Sequence, residues 1–240
     1  MPSLSNFRDL GGVSLGDRRL RTGLFYRSAR PTGLAAQDIA WLEQSGITAI
    51  VDFRGVTERE ASPSDLGDAL MARRLFLPVE PSVAARLRQL EAQGRLDPDA
   101  AFFAMTASYR AYVSDNLDAF GAFLQTCRAA EGAVVFHCSA GKDRTGFAAA
   151  LLLSALGASW DDIMADYLRT RSDWQVPDDI RAEAQDANRS ALLGVEPDYL
   201  NAAFDELDKH VKGAAEFAKT CLGGVQALMA FRERVSVAVE

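Results

Sequence analysis

The chain has 240 residues, 48% of them hydrophobic and 25% charged, with a formal net charge of −7 at pH 7. That length can bury a large core without disulfides or metals, and the composition lies far from the disordered and fibrous extremes. The negative balance excludes a general attraction to nucleic acid or anionic membrane, so any anionic substrate has to be captured by a focused positive pocket. Three cysteines, Cys127, Cys138 and Cys221, form no CxxC pair and leave one over. This points to a reducing compartment and a working thiol rather than a disulfide framework. The N-terminus shows no charged start, apolar run or small-residue cleavage site, so the expectation is a cytoplasmic chain. The most apolar stretch, 147–156, is about half a membrane span and reads as a buried helix, with no integral membrane segment expected.

No repeat or linker divides the chain, and a single domain over 1–240 is the simplest partition. In chain order, a short strand is expected at 24–26. A helix is expected at 34–44, with Thr32 as its cap and Gly46 as its stop. The run 47–53 is apolar and β-branched up to Asp52, as in a strand buried on both faces, and a shorter strand follows at 74–79. The amphipathic run 83–90 lies in a region, 78–112, that reads either as a helical lid or as the outer layer of the sheet. From 99 to 130 apolar residues recur at three and four spacings, giving one long helix or two broken near Ser114. A second fully apolar strand is expected at 133–138. Helices then follow at 145–156, 160–170, 177–193 and 197–211, with two short pieces at the C-terminus. Strands alternating with helices predict an α/β fold: a central, mostly parallel sheet flanked by helices, with a helical C-terminal half.

The chemistry concentrates where the second apolar strand ends. Cys138, Ser139, Ala140, Gly141 and Lys142 form a short loop between that strand and a helix beginning near Thr145. Backbone N–H groups of such a loop converge with the helix N-terminus to make an anion nest, which favours a thiolate at Cys138 and a phosphate above it. Arg144, six positions after the cysteine, can return a planar guanidinium fork across a tetrahedral dianion, which lysine does less well. Thr145 can cap the helix or donate to the sulfur as it leaves. A nucleotide-triphosphate loop is excluded, because Phe136 stands where a glycine is required and Asp143 follows Lys142 in place of Ser or Thr. With only His137 and His210 in the chain, no histidine metal site and no cofactor are expected.

The segment from His137 to Gly146 resembles the Cys-x5-Arg signature loop of the protein tyrosine phosphatase superfamily. Its Gly-Lys-Asp-Arg-Thr form is similar to a bacterial branch of tyrosine and dual-specificity phosphatases. Three upstream segments resemble that branch in the same order: Asn6 to Gly12, Leu24 to Ala29, and Val51 to Arg54 with Glu58 and Glu60. So does the downstream segment Pro197 to Leu200. The resemblance implies metal-free hydrolysis of phosphomonoesters through a phosphocysteine on Cys138, with Arg144 on the phosphoryl oxygens and a general acid for the leaving group. Two aspartates compete for that role: Asp143 inside the loop, which is preferred, and Asp52 at the end of the neighbouring strand. The resemblance further implies that His137 orients the loop and that Lys142 contacts phosphate or an adjacent acidic group. The expected partner is a phosphotyrosine protein, with phosphoserine, phosphothreonine and phosphoinositides as further substrates. A rhodanese-like sulfurtransferase and a phosphate-binding pseudophosphatase are the competing readings. Asn6, Arg8 and Asp9 either border the pocket or tie down a turn. The sequence does not specify an oligomeric state.

Overall fold

The computed structural model describes residues 2–80, 83–184 and 189–239. Its strands are β1 (Arg8–Asp9), β2 (Arg18–Leu20), β3 (Phe25–Ser28), β4 (Ile47–Asp52), β5 (Arg74–Phe76), β6 (Ala133–His137) and β7 (Ser236–Ala238). Five of them pair in the order β1-β3-β6-β4-β5. β3, β6, β4 and β5 run parallel, and β1 is antiparallel at the edge. β2 and β7 form a separate antiparallel ribbon.

The two apolar runs became β4 and β6 at the middle of the sheet because both of their faces are covered. In β6, Val134 and Phe136 bury in one cluster while Ala133 and Val135 bury in another on the opposite face. A strand with no wet face has no reason to alternate, so it reads as an unbroken apolar run. The smaller cluster is completed by Leu42 of α1 (Ala36–Gln44) and Leu70 of α3 (Asp68–Met71). The short α2 (Val56–Ala61) lies between them in sequence, directly after β4. The larger face takes α4 (Val83–Ala92), α5 (Pro98–Ser114), α6 (Leu117–Ala129) and α7 (Asp143–Leu156). After α7 come α8 (Trp160–Leu168), α9 (Thr170–Asp173), α10 (Asp178–Glu183), α11 (Arg189–Leu193), α12 (Pro197–Val211), α13 (Ala214–Cys221) and α14 (Val225–Val235). Every residue of α7 from Arg144 to Leu153 is buried, which explains why that helix is apolar all round rather than striped.

Several boundaries moved. The helix expected at 34–44 starts at Ala36 with Ala35, not Thr32, in the cap position, and it has no side-chain cap bond. The 99–130 run is two helices: α5 ends with the Asp115 N–H donating to the Ala111 carbonyl, and Asn116 Nδ2 adds a second bond to that carbonyl at 3.1 Å before α6 begins at Leu117. The 177–193 helix is α10 and α11, with 185–188 outside the described residues. Within 78–112 the two helices differ. α5 buries Ala101, Met105, Tyr109 and Tyr112 in the core, whereas α4 contributes Val83 and Leu87.

Candidate active site

β6 ends at His137, and α7 begins at Asp143 with no side-chain cap, so Cys138 to Lys142 forms the connecting loop. The first four carbonyls of this loop are each taken by a group outside it. Cys138 O lies 3.2 Å from His137 Nδ1, which assigns the proton to that nitrogen. Ser139 O accepts from the Arg30 N–H at 3.0 Å. Asn6 Nδ2 donates to Ala140 O (3.1 Å) and Gly141 O (2.8 Å), and Arg27 adds a second bond to Gly141 O at 2.8 Å. In a trans peptide the C=O and the following N–H point in opposite directions. With four consecutive carbonyls turned outward, the N–H groups of Ser139, Ala140, Gly141 and Lys142 turn to the loop's other side and make an anion nest there. Cys138, 2% exposed, sits at its base. Gly141 is obligatory in this path: its φ is +66°, and a Cβ would come 2.2 Å from the Ser28 carbonyl oxygen.

The wall behind the loop is an ion-pair hub. Asp166 receives Arg8 Nε at 2.8 Å on one oxygen and the Arg27 guanidinium at 2.6 Å on the other, and the Arg8 guanidinium also reaches the Asn6 side-chain oxygen. Burial pushes the Asp166 carboxyl up, but Arg27 and Arg8 outweigh it and hold the group below its ordinary range. Asn6 and Arg8 therefore brace the loop from behind. Asp9 ties the neighbouring turn by accepting from the N–H groups of Gly11 (2.7 Å) and Gly23 (2.6 Å).

Arg144 is held by a residue that the sequence reading noted only within a resembling segment. Its guanidinium makes a fork to Glu58 of α2, with bonds of 2.6 and 2.7 Å. Glu58 also accepts from Ser139 Oγ (2.6 Å) and from the Gly55 N–H (3.1 Å). Burial raises the Glu58 carboxyl, but the Arg144, Ser139 and Gly55 bonds prevail and bring it to about 2. The same pair, together with the nearby Cys138, overcomes the desolvation of Arg144 and fixes its charge.

The two competing aspartates have opposite environments. Asp52 pairs in register with His137 and shows no accessible surface. Its carboxylate accepts Arg54 Nε at 3.0 Å and Arg54's second guanidinium nitrogen at 2.8 Å, and lies 3.8 Å from His137 Nδ1. Asp52 ends its strand beside the loop, and its side chain folds back onto Arg54. Burial raises Asp52, yet His137 and Arg54 draw it below the ordinary range, so it is an anion without an accessible proton. Asp143, the first residue of α7, keeps 16% of its side chain exposed, accepts from the Tyr109 hydroxyl at 3.0 Å, and stands 3.7 Å from Lys142 Nζ.

The Lys142 ammonium, for which a contact to phosphate or an adjacent acidic group is expected, donates to the Ala191 carbonyl of α11 at 2.9 Å and lies 5.4 Å from the Trp174 ring, and burial lowers its pKa. Thr145 stands three residues past the Lys142 cap, so it is not the cap, and its buried hydroxyl finds no hydrogen-bond partner among the described residues. His137 is fully buried, and desolvation lowers its pKa. A cavity of about 210 Å³ flanks the loop at Ser139 and Ala140, with Ser5, Arg30, Thr32 and Trp174 on its other walls. Cys127 is fully buried, and burial pushes its thiol well above the ordinary value. Among the described residues no helix is long and apolar enough to cross a membrane.

A tyrosine-protein phosphatase of Cupriavidus necator is 39% identical over 172 residues, covering 70% of this chain and 61% of that protein's length. The triple specificity protein phosphatase PtpB of Mycobacterium tuberculosis is 30% identical over 247 residues, covering 87% and 88% of the two chains. A crystal structure of P. aeruginosa TpbA aligns over 81% of this chain and 96% of its own at 21% identity, with a TM-score of 0.35. The family model for the tyrosine phosphatase family matches residues 1–235, and the chain belongs to that family.

Proposed function

We propose that this chain is a cysteine-dependent phosphatase that hydrolyses phosphotyrosine through a phosphocysteine on Cys138. The observation that carries this reading is the set of four outward carbonyls, which leaves four N–H groups and the clamped Arg144 fork to receive a phosphoryl group over the sulfur. The thiolate attacks phosphorus and the bond to the leaving oxygen breaks, with Asp143 supplying the proton. Water then attacks the phosphocysteine, Asp143 takes its proton, and the thiolate returns. Arg144 and the loop N–H groups are stronger partners for the equatorial oxygens of the transition state than for the ground state. Thr145, with its free buried hydroxyl, is available to donate to the departing sulfur. His137 and Asp52 keep the loop's entry rigid.

Hydrolysis of a phosphotyrosine peptide, with a roughly 10³-fold or greater loss on Cys138→Ser, is the expected result; full activity in that variant would remove the proposal. A panel of phosphoserine, phosphothreonine and phosphoinositide substrates sets the breadth. Thiosulfate turnover would favour a sulfurtransferase, and tight phosphopeptide binding without turnover would favour a pseudophosphatase.

A further inference from the structure

The general acid of a two-step phosphatase must do two things with one carboxyl: give a proton to the leaving oxygen, then take one from water. Both steps need the same oxygen at the loop mouth each time. A lone aspartate at a helix start can rotate and exchange its oxygens. The surroundings of Asp143 prevent this.

Tyr109 from α5 is fully buried, and its hydroxyl lies 3.0 Å from Asp143 Oδ1. Tyr167 from α8, 1% exposed, places its own hydroxyl 2.8 Å from that of Tyr109. Tyr109 has a single proton. Since only the aspartate oxygen lacks one, Tyr109 donates to Asp143 and Tyr167 donates to Tyr109. The two rings cross edge to face at 83° with centroids 6.4 Å apart, so neither hydroxyl can swing away without moving a core aromatic. Desolvation and the Asp143 charge push both phenols well above the usual 10, which keeps each a neutral donor. The other ionisable groups that feel this carboxylate are Tyr112 of α5, Tyr199 of α12 and Lys142 of the loop, and of these Lys142 lies 3.7 Å from Oδ2.

We propose that Tyr109, backed by Tyr167, is a positioning residue for Asp143, holding Oδ1 so that Oδ2 alone carries and returns the catalytic proton. The inference rests on the reading of Asp143 as the general acid. In the first step the Oδ2 proton passes to the leaving oxygen as the phosphorus–oxygen bond breaks and the sulfur–phosphorus bond forms. In the second, Oδ2 takes a proton from water as its oxygen bonds to phosphorus and the sulfur leaves with the electron pair. Oδ1 keeps its bond to Tyr109 throughout.

The test is kcat/KM for aryl phosphates of graded leaving-group acidity. Phenyl phosphate needs the acid and 2,4-dinitrophenyl phosphate does not. General acid catalysis as a whole contributes roughly 10²–10⁴-fold, so Tyr109→Phe, which removes part of it, is expected to lower the phenyl phosphate value about tenfold and leave the dinitrophenyl value within about twofold. A donor to a carboxylate favours its ionised form. The same variant is therefore expected to move the high-pH limb of the phenyl phosphate profile upward. Tyr167→Phe should act in the same direction, about two- to threefold. The ratio of two substrates on one preparation is independent of the fraction folded, so a loss of stability does not obscure the outcome.

In an Asp143→Asn background, Tyr109→Phe should change the ratio by less than about twofold. An equal loss for both substrates, an unmoved limb, or a Tyr109 effect that persists without Asp143 would overturn the proposal. If Asp143→Asn itself shows no leaving-group dependence, the general-acid reading fails and this inference fails with it. If Asp143→Asn is leaving-group dependent and Tyr109→Phe is not, only the inference falls.

Discussion

Beside the cysteine loop, Asp166 joins two arginines and leaves neither of its oxygens open, whereas Asp143 accepts the Tyr109 hydroxyl on one oxygen and has the Lys142 ammonium 3.7 Å from the other. Both are aspartates on helices packed against the same loop. One is a structural clamp because its partners are permanent cations that saturate it. The other can do proton chemistry because a neutral phenol bonds one of its oxygens, while the nearby Lys142 ammonium stays 3.7 Å from the other. Asp52 belongs with Asp166: Arg54 saturates it, as Arg8 and Arg27 saturate Asp166. A buried carboxylate paired with arginine loses the freedom to carry a proton, and a carboxylate that must carry one cannot be so paired.

The contrast can be broken most severely at the hub. Asp166→Ala leaves Arg8 and Arg27 buried without their anion and is expected to cost about 3–5 kcal/mol of stability, measured by urea unfolding; a cost below about 1 kcal/mol would mean the hub does not brace the loop. Asp143→Asn should do the reverse. Its kcat/KM for phenyl phosphate should fall about 10²-fold, with the unfolding midpoint nearly unchanged. If instead Asp52→Asn produced that leaving-group-dependent loss while Asp143→Asn did not, the assignment of the two carboxylates would be inverted.

Glu58 lies between the two types, since it is partly exposed and clamps a residue of the reaction. Its folded value of about 2 lies below its ordinary 4.5. Its stabilising contribution is therefore complete above pH 4.5 and is lost as pH falls toward 2. Discounted for its partial exposure, this amounts to about 2 kcal/mol. The stability advantage of the native chain over Glu58→Gln should accordingly be constant from pH 7 to 5 and shrink below that. A constant gap down to pH 3 would show that the Arg144 fork is not what holds Glu58 ionised. The smallest effect is expected at Thr145→Val. Its hydroxyl has no bond to lose among the described residues, so stability should change by less than about 1 kcal/mol. Release of phosphate from the phosphocysteine, followed as the slow phase after a burst, should slow several-fold. An unchanged slow phase would remove the hydroxyl from the reaction.

The loop was legible because its chemistry is local. Cys138, Gly141 and Arg144 sit within seven consecutive residues, and a backbone turning from strand to helix makes its nest from neighbours in sequence. The two central strands were legible because burial on both faces leaves an unbroken apolar run. β1, β2 and β7, with two or three residues each, are too short to carry such a run and went unread, as did α2 and α3, each six residues or fewer.

From the amino-acid order alone came the proposed nucleophile and its loop, the arginine proposed to face the phosphoryl group, and the alternation that builds a mostly parallel sheet, because each depends on side chains a few positions apart. The tertiary structure alone decided which aspartate is free to carry a proton, what clamps Arg144 and what holds the loop's carbonyls outward. Those choices rest on Glu58, Asn6, Arg27, Tyr109 and Asp166, each through a bond to a residue 34 to 158 positions away along the chain. Whether a charged side chain ends as a clamp or as a reagent depends on which partners the folded chain brings to it, and in what number.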